Sequence, residues 1–120
     1  PPGRFIQHAM AEGYYELKKG AKFSFNLKAA NHEVILTSQA YESKASAENG
    51  IESVRSNGTD DSNFERKVST GGKPFFSLKA ANGQIIGTSE RYDSDAAMEK
   101  GIESVKRNCV STEVKDRTAG

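Results

Sequence analysis

A single motif of about 50 residues occurs twice in this chain, and the repeat limits the folds that the chain can adopt. Residues 25–31 read FNLKAAN and residues 76–82 read FSLKAAN, which is an offset of 51 residues. The offset holds without a gap from Lys22 to Asn57, and 20 of these 36 positions are identical in the second copy. Two equivalent units within 120 residues predict one domain built from two interlocked halves.

The start of the chain differs from the repeated part. The first nine residues share no pattern with the two repeats, and Met10 has the position of a natural start. We therefore interpret residues 1–9 as a disordered leader, either an upstream extension or a cloning remnant. Residues 10–120 are expected to form a single domain of two repeats, at about 14–60 and 63–116.

Each repeat is predicted to have the order β-β-β-α-β. The first strand covers about 14–18 and 64–68, and in the second strand apolar residues 23, 25 and 27 alternate with polar ones, which is typical of a strand with one wet face. Asn82-Gly83 is a strong hairpin signal because both turn positions favour positive φ. At the matching place, Asn31-His32 puts His32 in a strained conformation. The third strand is expected at 33–38 and 84–89, and a last strand at 110–115.

The fourth element of each repeat is predicted to be a helix. Ser43 and Ser94 are good N-cap residues, because their hydroxyls accept from the free amides of the first turn. Gly50 and Gly101 lie on the apolar face of each helix, which indicates a close approach of the helix to the sheet. Gly58 is expected to end the first helix in a left-handed conformation.

Three motifs present in both copies, F-x-L-K-A-A-N, T-S-x-x-Y-x-S and G-I-E-S-V-x-x-N, resemble the YegP-like family of uncharacterised bacterial proteins. The resemblance extends from Met10 to about Thr118. It implies a two-layer α+β fold in which tandem β-β-β-α-β repeats form one antiparallel sheet, with both helices on one face and the C-terminal strands exchanged between repeats. The chain would then be a covalent version of a dimer of single units. The family has no established activity or catalytic residue, so the resemblance implies no function.

Composition narrows the possible locations of the chain more than its functions. The 17 Lys and Arg residues against 16 Asp and Glu give a formal net charge of +1, which argues neither for nor against nucleic acid. Apolar runs such as residues 34–36 are too short to cross a bilayer, and the start of the chain has no signal-peptide pattern. A lone Cys109 permits no internal disulfide and no multi-cysteine metal site. These features favour a cytoplasmic protein that contacts no membrane.

Candidate catalytic and metal-binding groups are few. A nucleophilic Cys109 needs a base within reach, and the one histidine inside the repeats, His32, is expected at a hairpin tip. Carboxylates four residues apart could bind a metal or act as acid and base, but solvated helix faces carry the same spacing: Glu48 and Glu52, and Glu99 and Glu103. We therefore expect no enzyme activity, no catalytic residue, no metal and no cofactor.

The sheet offers a more promising surface. If both helices cover one face, polar residues of the second strands line the other face, and we expect the candidate binding face to comprise Lys28, Lys79, Asn26, Ser77 and Phe75. Lysines beside an aromatic ring on an open sheet can bind single-stranded nucleic acid through phosphate contacts and stacking. A polar outer face is also what any two-layer α+β protein requires.

The remaining recurrent residues have structural explanations. Asn31, Asn82 and Gly83 form turns, while Tyr41 and Tyr92 pack under the loop that enters each helix. A ligand site between the tyrosine and the hairpin is the alternative.

The sequence therefore predicts a small cytosolic binding or accessory module that uses the open sheet face or its edges. The expected partner is a protein; weak binding of single-stranded nucleic acid through Lys28 and Lys79 is the alternative, and an enzyme is a third possibility with no group of residues behind it. The chain is expected to be a monomer with internal pseudo-two-fold symmetry.

Overall fold

The computed structural model of the protein describes residues 13–119, so the expected leader at residues 1–9 lies outside the described part. In chain order the elements are β1 Tyr14–Lys19, β2 Phe23–Lys28, β3 Val34–Ser38, α1 Lys44–Asn57, a 3₁₀ turn Asp61–Asn63, β4 Phe64–Val68, β5 Pro74–Lys79, β6 Ile85–Thr88, α2 Asp95–Asn108 and β7 Val114–Arg117. Within this part of the chain, no helix combines the length and apolar character that crossing a bilayer needs.

The strands form one seven-stranded sheet in the order β4-β5-β6-β3-β2-β1-β7. The two repeats join at its centre, where β3 and β6 pair antiparallel through Thr37 and Thr88. Helix α1 packs on β1 and β2 of its own repeat and on β5 and β6 of the other, and α2 bridges the repeats in the same way. The predicted two-layer α+β fold of tandem repeats is confirmed.

The sheet differs from the expectation in two details. It is mixed rather than antiparallel, because β7 runs parallel to β1. Only the second repeat contributes an exchanged strand: after α1 ends at Asn57, the chain passes through the 3₁₀ turn and enters β4 at Phe64, which leaves no room for a crossing strand. Strand β4 consequently keeps one unpaired edge, whereas the equivalent edge of β1 is covered by β7.

The last strand also begins later than predicted, at Val114 rather than at Val110. Its start is delayed by a turn in which the Ser111 N–H donates to the Asn108 carbonyl (3.0 Å). The Ser111 hydroxyl then donates to the Gly13 carbonyl (2.7 Å), and Gly13 N–H donates to Asn108 Oδ1 (3.0 Å). These buried bonds fasten the crossover to the start of β1, and the alternation that suggested an earlier strand therefore lies in a turn.

The hairpin tips have the predicted backbone. Gly83 has φ 85° and His32 has φ 72°, which is uncommon for a residue with a Cβ. The sequence did not show that His32 has a second role: its Nδ1 lies 2.8 Å from the Tyr14 hydroxyl, and the two rings meet edge to face. This contact fixes the side chain of a residue whose backbone is strained by the turn.

Both helices begin at the predicted caps, with the Ser43 hydroxyl accepting from the Ser46 N–H and the Ser94 hydroxyl from the Ala97 N–H, each at 3.1 Å. The expected left-handed end at Gly58 is wrong, because Gly58 has φ −73° and its N–H still donates to the Val54 carbonyl. Glycine is present there for space: a Cβ would lie 2.8 Å from the Cys109 sulfur.

Candidate binding face

The helices cover one face of the sheet and leave the other uncovered. Side chains along a strand point alternately to the two faces of the sheet, so every second residue of a strand lies on the open face. The pairing register between the strands identifies these residues. We define the open face by these residues: Tyr14, Glu16, Lys18, Ser24, Asn26, Lys28, Thr37, Glu65, Lys67, Phe75, Ser77, Lys79, Thr88, Lys115 and Arg117. All five predicted candidates lie on it.

Two of those candidates are buried although they face outward. Asn26 is 5% exposed and Ser77 is 1% exposed. Their side chains bond to the neighbouring central strands, with Asn26 Nδ2 donating to Thr37 Oγ1 (3.0 Å) and the Ser77 hydroxyl 3.3 Å from that of Thr88. These equivalent bonds join the second strand of each repeat to a central strand. Both side chains therefore stabilise the sheet, and neither is free to bind a partner.

The two predicted lysines are paired with carboxylates. Lys28 Nζ lies 2.9 Å from Glu16, and Lys79 Nζ lies 3.1 Å from Glu65, at the equivalent place in the second repeat. The lysine contacts lower the pKa of both glutamates, with Lys28 and then Arg117 acting on Glu16. Sequence reasoning missed these pairs because they depend on the register between the first and second strands of each repeat.

Phe75 is half-buried, and two cations lie near its ring. The Lys67 ammonium lies 6.0 Å from the ring centroid, and the Arg91 guanidinium lies 5.8 Å from it. Both distances fit cation–π contacts. The ring therefore holds cations in place and is not an open platform for a stacked base.

The sequence argument also missed several cations on this face. Lys18, Lys67, Lys115 and Arg117 lie there with the two predicted lysines, and Arg91 joins them from the loop after β6. Among the described strands, Glu16 and Glu65 are the carboxylates that face the same way. From the loops, Glu113 lies 3.9 Å from Lys115, and Glu90 lines the same groove as Arg91. Since the whole chain has a net charge of only +1, the helix-covered side and the loops carry net negative charge. Strand alternation signals Lys18 and Lys67, but the register of β7 was needed to find Lys115 and Arg117.

Several recurrent residues hold the scaffold together. The hydroxyls of Ser38 and Ser89 accept from the backbone N–H of Phe25 and Phe76, at 2.8 and 3.0 Å. In the same way, the Asn31 side chain accepts from the Glu33 N–H at its turn (3.1 Å), and Asn82 accepts from the Gln84 N–H (3.0 Å).

Tyr41 and Tyr92 explain the helix glycines. The closest neighbour of a Cβ added at Gly50 would be the Tyr41 hydroxyl, and at Gly101 it would be the Tyr92 hydroxyl. Each tyrosine ring stacks on the phenylalanine of its repeat at 6.3 Å between centroids, and burial raises the pKa of both phenols. The nearest group to each helix glycine is thus the tyrosine of the loop that enters the helix, and the phenylalanine of the sheet lies next to it.

Cys109 and the helix carboxylates lie away from the open face. Cys109 is fully buried, and burial raises the pKa of its thiol to about 11. Of the helix carboxylates, Glu99 forms a bidentate pair with Arg66, and Glu52 pairs with Arg55. Within residues 13–119, no cluster of three potential metal ligands occurs.

Comparison with known proteins identifies close relatives. A model of the domain of unknown function DUF1508 matches residues 19–65 and again residues 69–116. A UPF0339 protein of Pasteurella multocida is 55% identical over 91% of this chain and 97% of its own length. The UPF0339 protein YegP of Yersinia pestis is 53% identical, covering 91% of this chain and 99% of that protein.

Solved structures show the same fold. The solution NMR structure of yegP from E. coli, described as a protein of unknown function, has a TM-score of 0.87 at 50% identity and covers 92% of this chain and 97% of its own. That of a UPF0339 protein from Shewanella oneidensis has a TM-score of 0.83 at 50% identity, over 88% and 91%. None of these names states a ligand or an activity. The chain therefore belongs to the UPF0339 family and carries two copies of the domain DUF1508.

Proposed function

We propose that this protein is a small, non-catalytic cytoplasmic binding module whose open face binds an acidic segment of another protein. The observation that carries the proposal is the segregation of charge. Lysine and arginine side chains outnumber carboxylates on the open face, while the chain as a whole is almost neutral. A surface of one sign attracts a partner of the opposite sign and orients it during encounter.

An acidic polypeptide fits this face better than a nucleic acid does. Glu16 and Glu65 lie among the cations and repel carboxylates and phosphates alike, so the two partners differ in what they need besides charge. The centre of the face lies around Thr37 and Thr88, where Glu90 and Arg91 of the following loop line the same groove. Single-stranded nucleic acid also needs aromatic rings on which its bases stack, and base stacking on Phe75 is limited because Lys67 and Arg91 already contact the ring.

The absence of catalysis and the cytoplasmic location are parts of the same proposal. A buried thiol with a raised pKa is a poor nucleophile, which supports a structural role for Cys109. A single unpaired cysteine also suits a reducing compartment.

The proposal is tested by fluorescence anisotropy of a labelled 15-residue oligoglutamate and of a labelled oligouridylate, at low and at moderate salt. Lys18→Glu/Arg91→Glu reverses one exposed cation in each half of the open face, and neither residue has an ion pair among residues 13–119. We expect this variant to weaken oligoglutamate binding by about tenfold or more at low salt, through the lost pair interactions.

The matched control is Lys22→Glu/Lys73→Glu, which changes the net charge equally at equivalent positions of the two repeats. Both control lysines are exposed and lie in solvent-accessible ion pairs, with Glu42 and Asp93. At moderate salt the control should alter binding by less than about twofold, because screening limits each charge change to its own surroundings. Equal loss in both variants, or no binding of oligoglutamate, would overturn the proposal, and tighter binding of oligouridylate would assign the face to nucleic acid instead.

A further inference from the structure

The duplication creates two equivalent clefts on the helix side of the sheet. Each lies between the β-hairpin tip of one repeat and the helix of the other. The first, which we call the Lys100 cleft, has a volume of about 460 Å³ and is lined by the tip at Asn31 and by Ser104 and Tyr92. The second, the Ser53 cleft, has about 690 Å³ and is lined by the equivalent residues Asn82, Ser53 and Tyr41. The two therefore share a scaffold.

Their charges differ. The Lys100 cleft is lined by Lys100 and Arg107 on α2 and by Glu33 on the opposite wall. In the Ser53 cleft Gln84 replaces Glu33, and the wall contains no charged side chain among the described residues. The positions equivalent to Lys100 and Arg107 are Asn49 and Ser56 in the alignment of the repeats.

The two cations of the Lys100 cleft form one row with a hydroxyl between them. Lys100, Ser104 and Arg107 are spaced by four and three residues, so they share one stripe of α2, and the outer two lie about 10 Å apart along its axis. Both cations are exposed and neither forms an ion pair within residues 13–119. Neighbouring Lys106, in contrast, is paired with Asp61 and Glu103.

Helix stability does not account for this row. A basic residue in the last turn complements the helix dipole, but Lys106 already provides that charge at the position where α1 has Arg55. Lys100 lies near the middle of α2, where the dipole has little effect. Tyr92 adds a donor, since this residue lines the cleft and its hydroxyl, which lies beside Gly101, makes no hydrogen bond to the described residues.

We propose that the Lys100 cleft binds a small anion with at least two acidic groups, one of them on Lys100 and another on Arg107, and with the rest of the molecule against Tyr92. Charge-assisted bonds from an ammonium and a guanidinium suit carboxylate and phosphate groups alike. Glu33 on the opposite wall favours a ligand that also presents a hydrogen-bond donor. The cleft lies on the helix side of the sheet, so the proposal is independent of binding at the open face.

The test is an NMR titration of the full ¹⁵N-labelled chain with citrate and with pyrophosphate at low salt. We expect saturable chemical-shift changes at the amides of Lys100, Ser104, Arg107 and Asn31. The probe that binds more tightly shows whether the cleft prefers carboxylate or phosphate groups. Replacing both cations by their counterparts from the first repeat, Lys100→Asn/Arg107→Ser, should weaken binding at least about tenfold. Glu33→Gln, the counterpart from the second repeat, should tighten binding of either probe.

The Ser53 cleft provides the reciprocal variant. Asn49→Lys/Ser56→Arg places the same row on α1 and should create a second saturable site there. When the titration is repeated at about 0.1 M salt, where the Debye length is about 10 Å, the open-face variant Lys18→Glu/Arg91→Glu should leave the affinity of the Lys100 cleft within about twofold, because those charges lie on the other side of the sheet. Absence of saturable shifts in the wild-type chain, or unchanged binding in Lys100→Asn/Arg107→Ser with an otherwise unchanged spectrum, would overturn the proposal.

Discussion

At the scale of single residues, the duplication has let equivalent positions diverge where they touch. Gly58 and Cys109 occupy the same place in the two repeats, and a Cβ added to Gly58 would lie 2.8 Å from the cysteine sulfur and 2.9 Å from its Cβ. Two equivalent residues in contact lie at the pseudo-two-fold axis. One of them can have a side chain because the other has none, a combination that two identical separate chains could not adopt.

Gly58→Ala should therefore destabilise the protein by about 1–3 kcal/mol, the usual cost of overpacking. In Gly58→Ala/Cys109→Gly the side chain at one position is added where the other is removed. The loss of stability in this double variant should therefore be smaller than the sum of the losses in the two single variants by about 1 kcal/mol. Recovery is partial because the new Cβ also meets the Val54 carbonyl at 2.7 Å. Urea unfolding followed by circular dichroism measures all three variants.

Gly20→Ala is the matched control, since a Cβ there has no neighbour within 4 Å. Its stability should change by less than about 0.5 kcal/mol. Strictly additive losses at Gly58 and Cys109 would contradict the packing account. The sequence shows that the two positions are equivalent, but it cannot show that they touch, because contact across an axis depends on the assembled halves.

At the scale of elements, strands β1 to β6 and both helices were predictable from the sequence. These elements are marked by period-two alternation, by the Asn-Gly turn and by the serine caps. Each of these signals depends only on residues close in sequence, so it can be recognised without knowing the rest of the fold. Strand β7 was misplaced and its direction missed, because its partner β1 lies at the other end of the chain. Its register is set by the buried bonds among Gly13, Asn108 and Ser111, which no local pattern reveals.

The ion pairs between neighbouring strands give the sheet a pH dependence. Lys28 and Arg117 lower the pKa of Glu16 in the folded protein. A carboxyl whose pKa is lower when folded stabilises the protein above its unfolded pKa of about 4.3, and this contribution is lost as pH falls below that value. We therefore expect Glu16→Gln to lower the melting temperature at pH 7 by about 2–4 °C, and the difference from wild type to shrink towards pH 3.

Glu65→Gln is the control from the other repeat. The Glu65 and Lys79 side chains are 44% and 36% exposed, against 16% and 20% for Glu16 and Lys28, so water screens the second pair more strongly. Its effect at pH 7 should be smaller than that of Glu16→Gln. A Glu16→Gln difference that stays constant from pH 7 to pH 3 would show that charge is not its cause.

At the scale of the whole molecule, the net charge concealed the property that matters most. A total of +1 gave no reason to expect an electrostatic partner, yet the fold collects cations on one face and leaves the balance of negative charge elsewhere. Two of the five candidates for the binding face proved to be buried, and two more to be paired. Whether an outward side chain is free depends on its neighbours on adjacent strands, and these are set by register.

The most direct test of the binding face is chemical-shift mapping of the intact ¹⁵N-labelled chain with the 15-residue oligoglutamate. Segregated charge predicts that the perturbed amides cluster on the open face, around Lys18, Lys67 and Arg91, with α1 and α2 almost unchanged, and that the shifts fade as salt is raised. Perturbations centred on the helices, or spread evenly over both sides of the sheet, would contradict the account.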